Sequence, residues 1–113
     1  MSLKVGESGK LIGYNTNFDL SSNTSLSLTL VEPSGVESAI NTSRISAPAV
    51  NGTFEEGGAD TTYTANEYMQ FTTIASDFTT SGTWKLYGTY TNTATDPDQI
   101  YHGSAVSFTV TEQ

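Results

Sequence analysis

Apolar and polar residues alternate along much of this chain, and period-two alternation predicts strands. In residues 24–31, Leu26, Leu28 and Leu30 fall on one face and Ser25, Ser27 and Thr29 on the other. Successive strand side chains point to opposite faces, so this is a half-buried strand. Glu32-Pro33-Ser34-Gly35 follows. Proline suits the second position of a tight turn and glycine a position with positive φ, so a hairpin loop is expected. Residues 36–40 are the return strand, and residues 45–50 a further extended piece bent at Pro48.

The pattern recurs further along. Residues 67–74 are rich in Tyr, Phe, Thr and Ile, which fit a pleated surface. Residues 83–90 put Trp84, Leu86, Gly88 and Tyr90 on one face and Lys85, Tyr87 and Thr89 on the other. Residues 104–111 put Val106, Phe108 and Val110 inward, with Ser107 and Thr109 outward. Residues 11–18 carry a weaker version, and residues 3–5 a short edge piece. No stretch of useful length has a helical period. Seven or eight short strands joined by turn-rich loops predict an antiparallel β-sandwich. Its expected core is Leu26, Leu28, Leu30, Trp84, Leu86, Val106, Phe108 and Val110. Residues 51–62, with Glu55, Glu56 and Asp60, and residues 92–99, with Asp96-Pro97-Asp98, are expected as long polar loops. Such loops are where binding usually sits on a β scaffold. There are no internal repeats, and residues 1–113 read as a single domain.

Composition adds mostly exclusions. The 113 residues carry 12 acidic and 4 basic side chains, a net charge of −8. Four scattered cations cannot neutralise a run of phosphates, so neither nucleic acid nor an anionic membrane is an expected partner. Without cysteine there is no thiolate nucleophile, disulfide framework or zinc finger. No segment approaches the roughly 18 uninterrupted apolar residues of a membrane helix. Met1-Ser2-Leu3-Lys4-Val5-Gly6 lacks the apolar core of a signal peptide, so synthesis in the cytoplasm is expected. Ser and Thr number 33, and the excess falls on the outward faces of the expected strands. Hydroxyl faces with few lysines do little to repel another strand, which suits a structural or assembly module.

Candidate chemistry is sparse. His102 is the lone neutral-pH base, but no Gly-x-Ser-x-Gly elbow accompanies it. Asp96, Asp98 and His102, or Glu55, Glu56 and Asp60, offer hard-cation ligands without a calcium-loop pattern, and solvated acidic loops are the expected state. Nothing singles out a glycosidase carboxylate pair among the twelve acids. The three Asn-x-Ser/Thr sequences, at Asn23, Asn41 and Asn51, are about what this composition produces by chance. No catalytic residue, metal or cofactor is expected. Tyr14, Tyr63, Tyr87 and Tyr101 are more than a small core needs and are the candidate interface residues, since tyrosine combines contact area with a polar tip. Tyr63, Tyr87 or Tyr101 would also serve as stacking platforms in a carbohydrate-binding or adhesion module.

Four stretches, taken in order, carry a family resemblance. Leu3-Lys4-Val5-Gly6-Glu7-Ser8-Gly9-Lys10 opens the chain, and Phe18-Asp19-Leu20-Ser21-Ser22-Asn23-Thr24-Ser25-Leu26 leads into the alternating strand. Val31-Glu32-Pro33-Ser34-Gly35 closes that strand, and Ser81-Gly82-Thr83-Trp84-Lys85-Leu86 opens a later one. Together they resemble the immunoglobulin-like domains of tailed-bacteriophage virions, especially the N-terminal domain of baseplate upper proteins, and small stand-alone phage structural proteins. The resemblance implies an immunoglobulin-like β-sandwich and a non-enzymatic virion component. It would dock in several copies on a larger tail, neck or major capsid protein, homo-oligomers included. The shared motifs are fold positions and transfer no active-site residue.

Overall fold

The computed structural model describes residues 3–22, 25–56 and 58–112. Thr24, the first residue of the strand expected over 24–31, and the Asn23 sequon lie outside the described residues, as does Gly57. The strands are β1 (Leu3–Lys4), β2 (Leu11–Asn15), β3 (Ser25–Val31), β4 (Glu37–Ala39), β5 (Gly52–Glu56), β6 (Ala59–Tyr63), β7 (Tyr68–Thr72), β8 (Gly82–Asn92), β9 (Gln99–His102) and β10 (Val106–Thr111). Among the described residues the one helical element is a 3-10 turn, Thr42–Arg44.

The larger sheet runs β1-β10-β8-β3-β4, with β9 also on β8. Its spine is β8. One edge of β8 pairs with β3 from Lys85 to Thr91. The other pairs with β10 from Gly82 to Leu86 and with β9 from Thr89 to Asn92. Between those two partners, the Gly103 N–H donates to the Gly88 carbonyl at 2.9 Å, so β9 and β10 follow β8 as one kinked track. The expected turn after β3 is present: Gly35 has φ +94°, its N–H donates to Glu32 O at 2.8 Å, and Glu32 N–H donates to Val36 O at 2.9 Å.

The second layer is the antiparallel pair β2–β7. The protein is thus an all-β sandwich. Leu28, Leu30, Trp84, Leu86, Tyr90, Phe108 and Val110 of the large sheet share one buried cluster with Ile12, Tyr14, Met69 and Phe71 of the small one. Burial of this kind is worth about 1.5–3 kcal/mol for each large apolar side chain. Leu20 and Phe78, in connecting segments, are also fully buried. Phe78 meets Trp84 and Phe108 edge-on, with ring centroids 5.1 and 5.7 Å away. The indole Nε1–H of Trp84 donates to Thr80 O at 3.0 Å, so its polar atom is satisfied inside.

A third, smaller layer covers part of β2–β7 from outside. The hairpin β5–β6 places Phe54 and Tyr63 against Tyr68. The Phe54 ring centroid is 4.8 Å from that of Tyr63 and 5.5 Å from that of Tyr68. Gly13 of β2 lies under this cluster, where an added Cβ would come within 2.8 Å of the Phe54 ring.

Four expectations need correction. Residues 51–62 are not a loop but most of the hairpin β5–β6, whose few apolar residues pack on β7. Among the described residues ten strands stand where seven or eight were expected: β5, β6 and β9 are added, and the extended piece expected over 45–50 forms only a bridge from Ser46 to Gln70. Of the expected core, Leu26 is half-buried, and Val106 is 44% exposed although it alternates in phase with Phe108 and Val110. Strand β1 is the short edge piece expected, but it pairs with β10 in parallel.

Candidate interaction surface

The four tyrosines divide by environment. Tyr14 is 3% exposed, and its hydroxyl donates to Ser104 O at 2.6 Å, tying β2 to the connection between β9 and β10. Burial raises its pKa. Tyr63 is 5% exposed and donates to Glu56 Oε2 at 2.9 Å. Burial, reinforced by the bond to Glu56 and by its charge, pushes that phenol up to about 12. Neither ring offers the open face expected of an interface tyrosine.

Tyr87 and Tyr101 are half-buried. Tyr87 projects from β8 opposite Trp84 and Leu86, and its hydroxyl donates to the Glu37 carboxylate on β4, a bond that raises its pKa. Tyr101 stacks on Phe18 with ring centroids 4.8 Å apart and planes 5° apart. Its hydroxyl donates to Thr16 O at 3.2 Å. One face of that ring is therefore already occupied. Tyr14 and Tyr63 both line the cleft between β2 and β10, whereas Tyr87 and Tyr101 do not line it.

The candidate acids and base are likewise dispersed. His102 ends β9, exposed, with Nδ1 3.5 Å from Thr89 Oγ1, a neutral hydroxyl on the neighbouring strand. Glu55 and Glu56 stand at the end of β5, with Asp60 across the hairpin in register with Glu55. Among the described residues, no three His, Asp or Glu side chains are grouped as metal ligands would be. The charge pair Arg44–Asp77 is structural in character. Arg44 grips Asp77 through two bonds of 3.0 and 2.6 Å and donates to Thr72 O at 2.9 Å, while Asp77 also accepts the Ile74 N–H at 2.9 Å. The bond to Asp77 raises the Arg44 pKa. Two planar groups in bidentate contact fix both the 3-10 turn and the bend at residues 74–77.

What the sandwich leaves open is its edges. Strand β2 has β7 on one side and, among the described residues, no strand on the other. Strand β10 is paired with β1 at Val110 and Thr111, and among the described residues no strand lies along the outer side of residues 106–109. These two edges flank a cleft of about 380 Å³. Gly13, Tyr14, Asn15 and Asn17 border it on one side and Val106, Ser107 and Phe108 on another, with Leu86 inside and Glu55, Glu56 and Tyr63 on the hairpin. The sequence reading missed Asn15, Asn17 and Ser107. No protein-family model matches the chain, and neither a curated protein nor a solved structure matches it.

Proposed function

We propose that this chain is a non-enzymatic accessory structural protein of a tailed-bacteriophage virion, an immunoglobulin-like module docking on the tail, neck or capsid through β edges and loops. The observation that carries this reading is that, among the described residues, no strand covers the outer side of β2 or of residues 106–109, while the hydroxyls of Tyr14, Tyr63, Tyr87 and Tyr101 are bonded within the chain. An open strand edge is a row of backbone donors and acceptors, and such rows are used in strand addition to partners. The motifs behind the phage resemblance also sit at structural positions: Pro33-Ser34-Gly35 makes the turn after β3, and Gly82-Thr83-Trp84 begins the spine strand. Several weak copies on a symmetric particle would gain avidity, so no single contact need be large. The rival reading as a carbohydrate module is less well supported, because Tyr63 is buried and Tyr101 is stacked on Phe18, which leaves half-buried Tyr87, tied to Glu37, as its platform. Mass spectrometry of purified particles tests the proposal. A fixed copy number that persists through a density gradient is expected. Recovery of the protein only in the particle-free fraction would overturn it.

A further inference from the structure

Hydrogen bonds at the two ends of β2 set the phase of its backbone. Thr73 N–H donates to Lys10 O at 2.8 Å, and Thr16 N–H donates to Glu67 O at 2.9 Å. In an antiparallel pair, residues bonded to the partner alternate with residues whose backbone groups point away. Lys10, Ile12, Tyr14 and Thr16 therefore address β7, and Leu11, Gly13 and Asn15 turn their N–H and C=O groups to the open side. That open side spans the five residues of β2, roughly 17 Å at about 3.4 Å per residue.

The other margin of the cleft carries a matching sign of incompleteness. Val106 sits in phase with the buried Phe108 and Val110, yet it is 44% exposed, and among the described residues no strand lies outside it. A strand laid along β2 would cover Val106 and the rims of Leu86 and Phe108, and would meet the outward backbone groups of Leu11, Gly13 and Asn15. The side chains that such a strand turned toward the hairpin would face Glu55 and Glu56.

Charge selects the occupant. The cleft wall carries two carboxylates and the whole chain a net charge of −8, so a second copy of the chain would meet repulsion. We infer that the cleft between β2 and β10 receives an extended segment of a partner protein, alternating apolar residues with Lys or Arg, which adds as a strand along β2. This deepens the docking role proposed above and rests on it for its biological setting, but the binding itself is measurable on the isolated chain.

The test is a titration of the isotope-labelled full chain with a synthetic peptide of about eight residues, valine alternating with lysine and threonine, followed by amide NMR. Saturable shifts are expected at Leu11, Gly13, Asn15 and residues 106–109, with affinity falling about tenfold or more between about 50 and 500 mM salt. The double substitution Glu55→Lys, Glu56→Lys should weaken the lysine peptide about tenfold and strengthen its glutamate counterpart. Leu11→Pro, which removes one outward N–H and leaves the β7 ladder alone, should weaken both. If that variant fails to fold, the charge exchange still decides the matter. No saturable shift up to about 1 mM peptide overturns the inference, as does equal binding of the glutamate peptide or shifts centred on β4. Concentration-dependent dimerisation with the same amide shifts would give the cleft to a second copy and also overturn it. Absence from particles would leave these solution results standing, and a silent titration would leave particle incorporation standing, so the two proposals fail separately.

Discussion

Gly88 sets the spacing of the two layers through the side chain it lacks. A Cβ there would stand 3.0 Å from the Tyr14 ring, 3.1 Å from Leu28 and 3.2 Å from the methyl of Met69. Each of these neighbours is itself buried, and packed interiors resist added volume. Gly88→Ala should therefore destabilise the protein by about 1–3 kcal/mol, read as a lower urea midpoint with an unchanged slope. An unchanged midpoint would mean that Met69 gives way freely. Tyr63 makes a different kind of statement. Its phenol ionises near 12 in the folded chain against 10 ordinarily. Between those values the unfolded chain has lost a proton that the folded chain still holds, so rising pH favours unfolding. Stability contributed by neutral Tyr63 is complete below pH 10 and declines as pH climbs toward 12, by at most about 1.4 kcal/mol per pH unit. Urea midpoints measured across that range should fall less steeply for Tyr63→Phe than for the parent.

Among the elements, the hairpin β5–β6 packs on Tyr68 through Phe54 and Tyr63, and Phe54 also lies directly over Gly13. Gly13→Ala puts a methyl where the ring lies, at 2.8 Å, so the hairpin must lift or β2 must move. Amides of residues 52–63 should lose hydrogen-exchange protection in this variant while those of β3 and β8 retain theirs, because the main cluster does not include Phe54. Equal loss across both sheets would show that the hairpin is part of the global unfolding unit. The same hairpin shows where the sequence was hard to read. Strands β3, β8 and β10 are buried on one face, and their alternation stands out. In β5 and β6 only Phe54 and Tyr63 are both apolar and buried, and Thr, Asp and Glu fill most other positions, so the segment looks like a polar loop. Strand β9 is four residues long with no clear period. Leu20 and Phe78 are core residues held in connections, where no periodicity marks them. The candidate tyrosines were visible as a surplus of aromatics, but which of them point inward depends on layer packing. Tyr14 is buried because β2 faces β8, a pairing between layers that hydropathy in either strand cannot report.

Across the whole molecule, enclosure of the inward-facing residues is uneven. Trp84 and Phe78 are fully buried, and Phe78 meets both Trp84 and Phe108 edge-on. The cleft between β2 and β10 is open, and Val106 lies on its margin. Both Trp84 and Val106 belong to the same inward pattern by alternation, so hydropathy ranks them alike. Burial separates them: Trp84 is 1% exposed and Val106 is 44% exposed. Trp84→Ala removes a fully enclosed ring together with the Thr80 hydrogen bond, and should cost about 3–5 kcal/mol. Val106→Thr keeps the β-branched shape and changes a half-solvated site, so it should stay within about 0.5 kcal/mol of the parent. Urea denaturation of the two variants side by side measures the contrast. If Val106→Thr instead proved as costly as Trp84→Ala, the cleft would be closed in solution and its edge unavailable. If both were mild, the layers would be held together by something other than this aromatic cluster.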